Sequence, residues 1–432
     1  MPTSNLFGKS VTTGAAPRRL MLFDLSVGGH HSGYIQHLIH YWGKQQLPGQ
    51  LSIVVLPQFM TQHADVVELA NKWTSEKVRW VPISEVEAAD LVNRSSFVNR
   101  TRLAFQEWGL FCRYAKQLKV DHAVLLYLDN AQVPIILGGT PPCLFSGIYF
   151  RPTIHYDEFS NFCPNRRDRL QQWRERVQLA RVMKNSQIHT LLCLDPFVVP
   201  YLHRQYTPVK SGKVQAVHLP DPVQVYDHSL NQVQTLKQDL GIAPERQVCL
   251  LFGALTRRKG IYELLTALGQ LSTSDCQHLC ILLVGPLAQD DQLRIMEQIQ
   301  ELQKSQPIHI ILSNKFVADK DIQPYFQLAD VILAPYQRHV GMSAIVVRAA
   351  AAQTPLLASD YGLMGELTRR FQLGYAVDST NPAAIAHALS HCLRTPTEEL
   401  CDVTQMADFA DRNSEEAYAQ TFFQSLGFMA SK

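Results

Sequence analysis

Short apolar, β-rich runs recur along this chain with helical periodicity between them, and that alternation leaves few folds open. They fall at Leu20 to Leu25, Leu51 to Leu56, Val78 to Ile83, Ala123 to Leu128, Leu144 to Phe150, His189 to Leu194 and Val214 to Leu219. Between the first two, Ile35, Leu38, Ile39 and Trp42 follow the i, i+3, i+4, i+7 spacing of a helix that buries one face. Strands alternating with helices pack as a parallel, doubly wound sheet. After the Pro-rich HLPDPVQVYD, His218 to Asp227, the pattern restarts at Val248 to Phe252, Cys280 to Val284, Ile308 to Leu312, Val331 to Ala334 and Leu356 to Ala358. The expectation is therefore an α/β protein of two Rossmann-like domains, and 432 residues is more than one hydrophobic core usually serves.

Two stretches of the second half carry the marks of a phosphate site. In APYQRHVGMSAIVVRAAAAQTPLLAS a strand ends and a helix starts near Gly341, Met342 and Ser343. A helix start there aims unpaired N–H groups and the positive dipole end at an anion; an ordinary βα turn with a serine cap would read the same way. In CLLFGALTRRKGIYELLTALGQL, from Cys249, a strand and a Gly turn lead into Arg257, Arg258 and Lys259 and then a helix. Cations at the carboxyl end of a parallel strand lie where such sheets bind ligands.

These motifs resemble the C-terminal half of GT-B glycosyltransferases, in particular the retaining glycosyltransferase family 4, or "glycosyl transferases group 1", type. The resemblance runs through FGALTRRKG, LLVGP (Leu282 to Pro286), FQLADVILAPY (Phe326 to Tyr336), TPLLASD and YGLMGEL (Tyr361 to Leu367), in consistent order. It implies a GT-B fold, two Rossmann-like doubly wound domains facing a cleft. The expected organisation is a leader over 1–17, an acceptor domain over 18–222, a nucleotide-sugar domain over 223–410, and a C-terminal helix within 411–432, near Glu415 to Leu426, crossing back to the first domain. The implied reaction is transfer of a sugar from a nucleotide diphosphate sugar to a lipid-linked, polysaccharide-precursor or small-molecule acceptor, without metal or cofactor. A non-catalytic relative that binds nucleotide or a partner glycosyltransferase is the alternative.

The resemblance also assigns residues. Lys259 and Arg258, with Asp129 beside the reacting sugar, are the expected catalytic groups. The donor site is expected to use Arg257, Phe316, Val317, Gly341, Met342, Ser343 and Glu366, the last in a GLMGEL loop, together with Gly28, Gly29 and His30 from the Gly-Gly turn of DLSVGGHHSGYIQHL. On the acceptor side stand His31, Arg151 and His155. Either histidine of the turn reads equally as a loop or capping residue, and Arg151 as one half of a structural ion pair. The family's two glutamates, seven residues apart, fall on Val340 and Arg348, so both acids are replaced. Ser343 stands at the phosphate-loop glycine, Ala254 at a frequent arginine, and Gln353 at the glycine before Thr-Pro. Arg348 suggests tolerance of extra negative charge on a substrate.

Charge is uneven. Residues 1–220 hold 24 Lys and Arg against 15 Asp and Glu, and residues 221–432 hold 16 against 23. Arg94 to Lys119 and Arg166 to Lys184 mix cations with Trp108, Phe111, Tyr114 and Trp173, as a solvated helix face does, or one lying on an anionic membrane. No recognition motif for nucleic acid accompanies that charge. The nine cysteines show no CxxC pair, and no run reaches the ~18 apolar residues of a membrane span. A cytoplasmic protein, peripheral at a membrane's inner face in the second case, is expected.

Overall fold

The computed structural model describes residues 19–28, 31–73, 77–93, 95–226 and 228–429. The expected leader, Gly29 and His30 lie outside these residues. Seven parallel strands form the first sheet: β1 (Arg19–Phe23), β2 (Gln50–Val55), β3 (Val78–Pro82), β4 (His122–Leu125), β5 (Leu144–Tyr149), β6 (Ile188–Cys193) and β7 (Gln215–His218). Their order is β3-β2-β1-β4-β5-β6-β7. The second sheet holds β8 (Gln247–Phe252), β9 (Leu279–Val284), β10 (His309–Ser313), β11 (Val331–Ala334), β12 (Leu356–Ser359) and β13 (Gly374–Val377), in the order β10-β9-β8-β11-β12-β13.

Both orders reverse once, between β1 and β4 and between β8 and β11, and parallel sheets open a ligand crevice at such a point. The strands are apolar throughout because helices cover both faces; β9 is buried at all six positions. The edge strand β13 escapes the sequence pattern. It has four residues and only Val377 is fully buried, while Gly374 (φ +144°) lies where a Cβ would stand 2.1 Å from the Leu356 carbonyl oxygen.

Residues near the C-terminus belong to the first domain's core. The helix Glu415–Ser425 buries Tyr418, Phe422 and Phe423 among Tyr34, Leu38 and Trp42 of the helix His31–Lys44. Each such side chain contributes roughly 1.5–3 kcal/mol when buried, enough to hold a three-turn helix that would be marginal alone. At the crossing, Asn413 accepts from Asp221 N through its side chain and from Val223 N through its carbonyl, both at 3.1 Å.

The two domains touch through the segment after β5. Tyr156 is fully buried, yet its neighbours are core residues of the second domain. Its hydroxyl accepts from Gly341 N at 3.3 Å, and its ring lies where a Cβ on Gly362 (φ +63°) would come within 2.8 Å. Asn161 donates to Asp360 at 3.0 Å, and Arg338 pairs with Asp168. Among the described residues no helix is long and apolar enough to cross a membrane.

Candidate functional site

The second domain's crevice is built from the ends of β8 and β11. Chain after β8 turns at Gly253 (φ +99°) and makes a single 3-10 turn, Arg257–Lys259, stopped by Gly260 in the left-handed region. A Cβ on Gly260 would meet the Pro335 carbonyl oxygen at 2.0 Å, so only glycine lets this turn lie on the end of β11. Gln337 N donates to the Arg258 carbonyl at 2.8 Å and closes the contact.

Lys259 is 6 % exposed. Its ammonium donates to the Phe252 carbonyl at 2.8 Å and to the Tyr336 hydroxyl, which leaves one of three N–H groups for a ligand. The Tyr336 hydroxyl lies 3.5 Å from Ser343 Oγ, so lysine, tyrosine and serine form a line from the β8 turn to the start of the helix Ala344–Ala351. Ser343 makes no side-chain cap, and Met342 beside it is half-buried. Arg258 lies over the Tyr336 ring, 5.6 Å from its centroid, and donates to His339 Nδ1 at 3.2 Å. Since Nδ1 accepts, Nε2 carries the proton and donates to the Met342 carbonyl at 3.3 Å. Burial, then the neighbouring Arg258, lowers the His339 pKa to about 4 and holds the ring neutral.

Across the cleft, the first domain contributes a cavity of about 810 Å³ at the ends of β1 and β4. His31 Nδ1 meets Asp24 Oδ2 at 2.6 Å on its wall. Asp129 accepts from Phe150 N at 2.9 Å and Arg151 N at 3.0 Å, tying the end of β4 to the end of β5. Burial raises the Asp129 carboxyl above its usual range, and the Phe150 N–H, the Arg151 charge and the Arg151 N–H offset only part of that rise. Arg151 is exposed, lines the cavity and rests its stem against Gly341 (φ +94°), where a Cβ would stand 2.9 Å from its Cγ. It therefore belongs to both halves of the cleft.

The structure thus brings together Lys259, Arg258, Gly341, Met342, Ser343 and Arg151 on one side, and His31, Asp129 and Arg151 on the other. Arg257 stands apart, exposed over the Tyr262 ring at 5.5 Å. Phe316 is 82 % exposed and Val317 partly buried in the loop after β10. Gly28 follows β1 with open space around its Cβ position.

Two expectations need correction. His155 is 1 % exposed, its Nε2 3.1 Å from the buried Asp195 carboxylate and its ring among Tyr156, Phe159 and Tyr201, so it meets no acceptor here. GLMGEL is no loop but the start of the helix Gly362–Arg370, and the Glu366 carboxylate, 3 % exposed, is taken by Arg369 at 3.2 Å and Arg370 at 2.5 Å. Arg348 is also already neutralised: it is buried against Asp319 at 2.5 Å. Sequence reasoning missed Tyr336, His339 and Tyr156. The first two stood within APYQRHVGM, but only the fold shows that Tyr336 lies under Lys259.

This paired-domain architecture is the GT-B fold. Residues 232–407, most of the second domain, match the family described as "Glycosyl transferases group 1". The Bacillus subtilis (strain 168) protein named "Putative glycosyltransferase YtcC" is 27% identical over 158 residues, which span 36% of this chain and 38% of the relative. The fold of nearly the whole chain recurs in solved structures of low identity. Sucrose-phosphate synthase from Thermosynechococcus elongatus has TM-score 0.65 and 15% identity, over 94% of this chain and 98% of that one. Anabaena Alr3699/HepE, solved in complex with UDP and glucose, has TM-score 0.60 and 15% identity, over 95% and 99%.

Proposed function

We propose that the protein is a retaining glycosyltransferase that takes a sugar from a nucleotide diphosphate sugar on its second domain and passes it to a hydroxyl of an acceptor in the cavity of its first. The observation that carries this reading is the line Lys259, Tyr336, Ser343 under Arg258, set at a helix start and against Arg151 of the other domain. Fixed donors of this kind meet the negative charge that grows on a departing diphosphate, and loss of one typically costs about 10²–10³ in rate. The UDP and glucose in the Anabaena structure support the same class of donor.

In this reading Lys259 and Arg258 supply the charge that a metal ion supplies elsewhere, and no cofactor takes part. Arg257, Phe316 and Val317 serve the nucleoside and Gly28 the sugar; Gly29 and His30, expected beside Gly28, lie outside the described residues. Asp129 positions the acceptor side through the backbone of Phe150 and Arg151. A cytoplasmic site of action, with the basic helices of the first domain at a membrane surface, fits the charge distribution. The commitment of Glu366 to two arginines favours a second reading, a nucleotide-binding protein without transfer activity.

A thermal-shift and donor-hydrolysis screen of UDP-, GDP-, ADP- and dTDP-sugars separates the two. Binding at about 100 times the Kd stabilises the fold by ~2.7 kcal/mol. One responding nucleotide, its effect lost in Lys259→Ala, with slow hydrolysis, supports the enzyme. Binding without hydrolysis or transfer supports the second reading, and silence across the panel sinks both.

A further inference from the structure

Three cations in the first domain's cavity lie outside the phosphate cluster's chemistry or at its edge. Arg100 on the helix Phe97–Gln117, Arg151 after β5, and Arg174 on the helix Arg166–Val182 all line the cavity. None of the three guanidinium groups has an ion-pair or hydrogen-bond partner among the described residues; Arg151 only lies over the Tyr127 ring, 5.7 Å from its centroid. Of the acids on the same wall, Asp129 acts on one of them, Arg151, and it does so by charge without a side-chain ion pair. Asp24 is taken by His31 at 2.6 Å and Ser26 N at 2.9 Å, Asp129 accepts its two backbone N–H groups, and Glu107 is engaged as well.

Guanidinium groups from three separate elements repel one another across a shared cavity, and that arrangement is relieved when an oxyanion enters. The same wall carries an apolar group, Phe23, Leu25, Leu103, Trp108 and Leu125, beside polar side chains such as Thr101 and Gln178. We infer that the acceptor is an acidic molecule whose phosphate or carboxylate is seated among Arg100, Arg151 and Arg174 and whose remainder packs on that apolar wall. The inference rests on the proposed transfer reaction, since it names the substrate class of the cavity that reaction uses. Arg151 then touches both substrates, which sets the acidic acceptor beside the donor phosphates.

The acidic group has two sources, a water-soluble molecule or a lipid headgroup. Phe97 lines the cavity with its side chain 64 % exposed, and Trp173, next to Arg174, is 62 % exposed, so both sources have a place. The test is made on the full chain carrying Lys259→Ala, which removes a donor-side phosphate contact. Inorganic phosphate and glucose 6-phosphate are titrated calorimetrically, and vesicles of phosphatidylglycerol or phosphatidylcholine are co-sedimented. We expect binding of the phosphates or of the anionic vesicles to persist in Lys259→Ala and to weaken at least tenfold when Arg100→Gln and Arg174→Gln are added. Partial recovery is expected with Arg174→Lys in place of Arg174→Gln. Phosphate binding without vesicle binding assigns a soluble acceptor, and anionic-vesicle binding assigns a lipid-borne one; either supports the inference. Equal binding with and without the two arginines, or no anion binding at all, overturns it. On an otherwise wild-type chain, nucleotide-sugar binding by the Arg100→Gln/Arg174→Gln protein shows separately whether the donor reading stands.

Discussion

Gly341 of the second domain approaches Arg151 of the first so closely that a Cβ at the glycine would stand 2.9 Å from the arginine Cγ and 3.2 Å from the Phe150 carbonyl oxygen. The glycine also sits at φ +94°, which costs an L-residue about 1–2 kcal/mol. Gly341→Ala should wedge the cleft at the point where both proposed substrates meet. We expect at least a tenfold fall in kcat/KM, with turnover and apparent donor affinity changing together, since closure sets both. Steady-state kinetics on the purified variant checks this, and unchanged kinetics would remove Gly341 from the site.

Gly253 tests the enclosure of Lys259 without touching the lysine. A Cβ there would lie 3.0 Å from Nζ, and φ is +99°. Gly253→Ala should crowd the one N–H left for a ligand and weaken nucleotide-sugar binding by about tenfold or more, roughly 1.4 kcal/mol. Titration calorimetry reads the affinity, and an unchanged Kd would show that the ammonium is not used for the donor.

The neutral His339 gives stability a pH dependence of known sign. Its pKa falls from 6.5 to about 4 through burial and the charges of Arg258, Lys259 and Arg151, with the Met342 carbonyl opposing. The unfolded chain therefore takes up this proton first, so the contribution is present above pH 6.5 and is lost as pH falls toward 4. In His339→Gln this part of the acid loss should vanish. Urea unfolding at pH 7, 6, 5 and 4 should show the wild type losing more than the variant, and parallel curves would contradict the assignment.

Backbone conformation alone predicts two stabilising changes. Gly109 is exposed in the middle of the helix Phe97–Gln117 with nothing within 4 Å of its Cβ position, so Gly109→Ala should add about 0.5–1 kcal/mol. Gln353 sits at φ +54°, where an L-residue is strained by about 1–2 kcal/mol and a glycine is not. After the extra freedom glycine gives the unfolded chain, Gln353→Gly should still add about 0.5 kcal/mol. Thermal melts of the two variants check both, and a lowered midpoint in either refutes its argument.

The strands were legible in the sequence because parallel sheets covered on both faces require continuous apolar runs, and β11 begins and ends where its residues predict. Gln353 shows how far such reading extends: a position where the resembling family usually has glycine holds a residue in a glycine conformation. Contacts between distant segments were not legible. Nothing in YDEF announces that Tyr156 will lie beneath Gly341 and Gly362, about two hundred residues away, and His155, its neighbour, lies in the interior beside Asp195 instead of facing the cleft. Glu366 misled for a local reason, since arginines three and four residues on become its partners once the segment is helical.

Tyr156 belongs to one domain by its chain and to the other by its packing. Each half therefore completes the other's interior, and heat should melt them in one transition where a loosely tethered pair would give two. The same tyrosine limits exchange of parts between relatives. A second domain grafted from another protein would have to bring both the glycine-sized gap at position 362 that receives this ring and the backbone N–H at position 341 that meets its hydroxyl, or the hybrid would carry a collision at its seam and a buried hydroxyl without its partner.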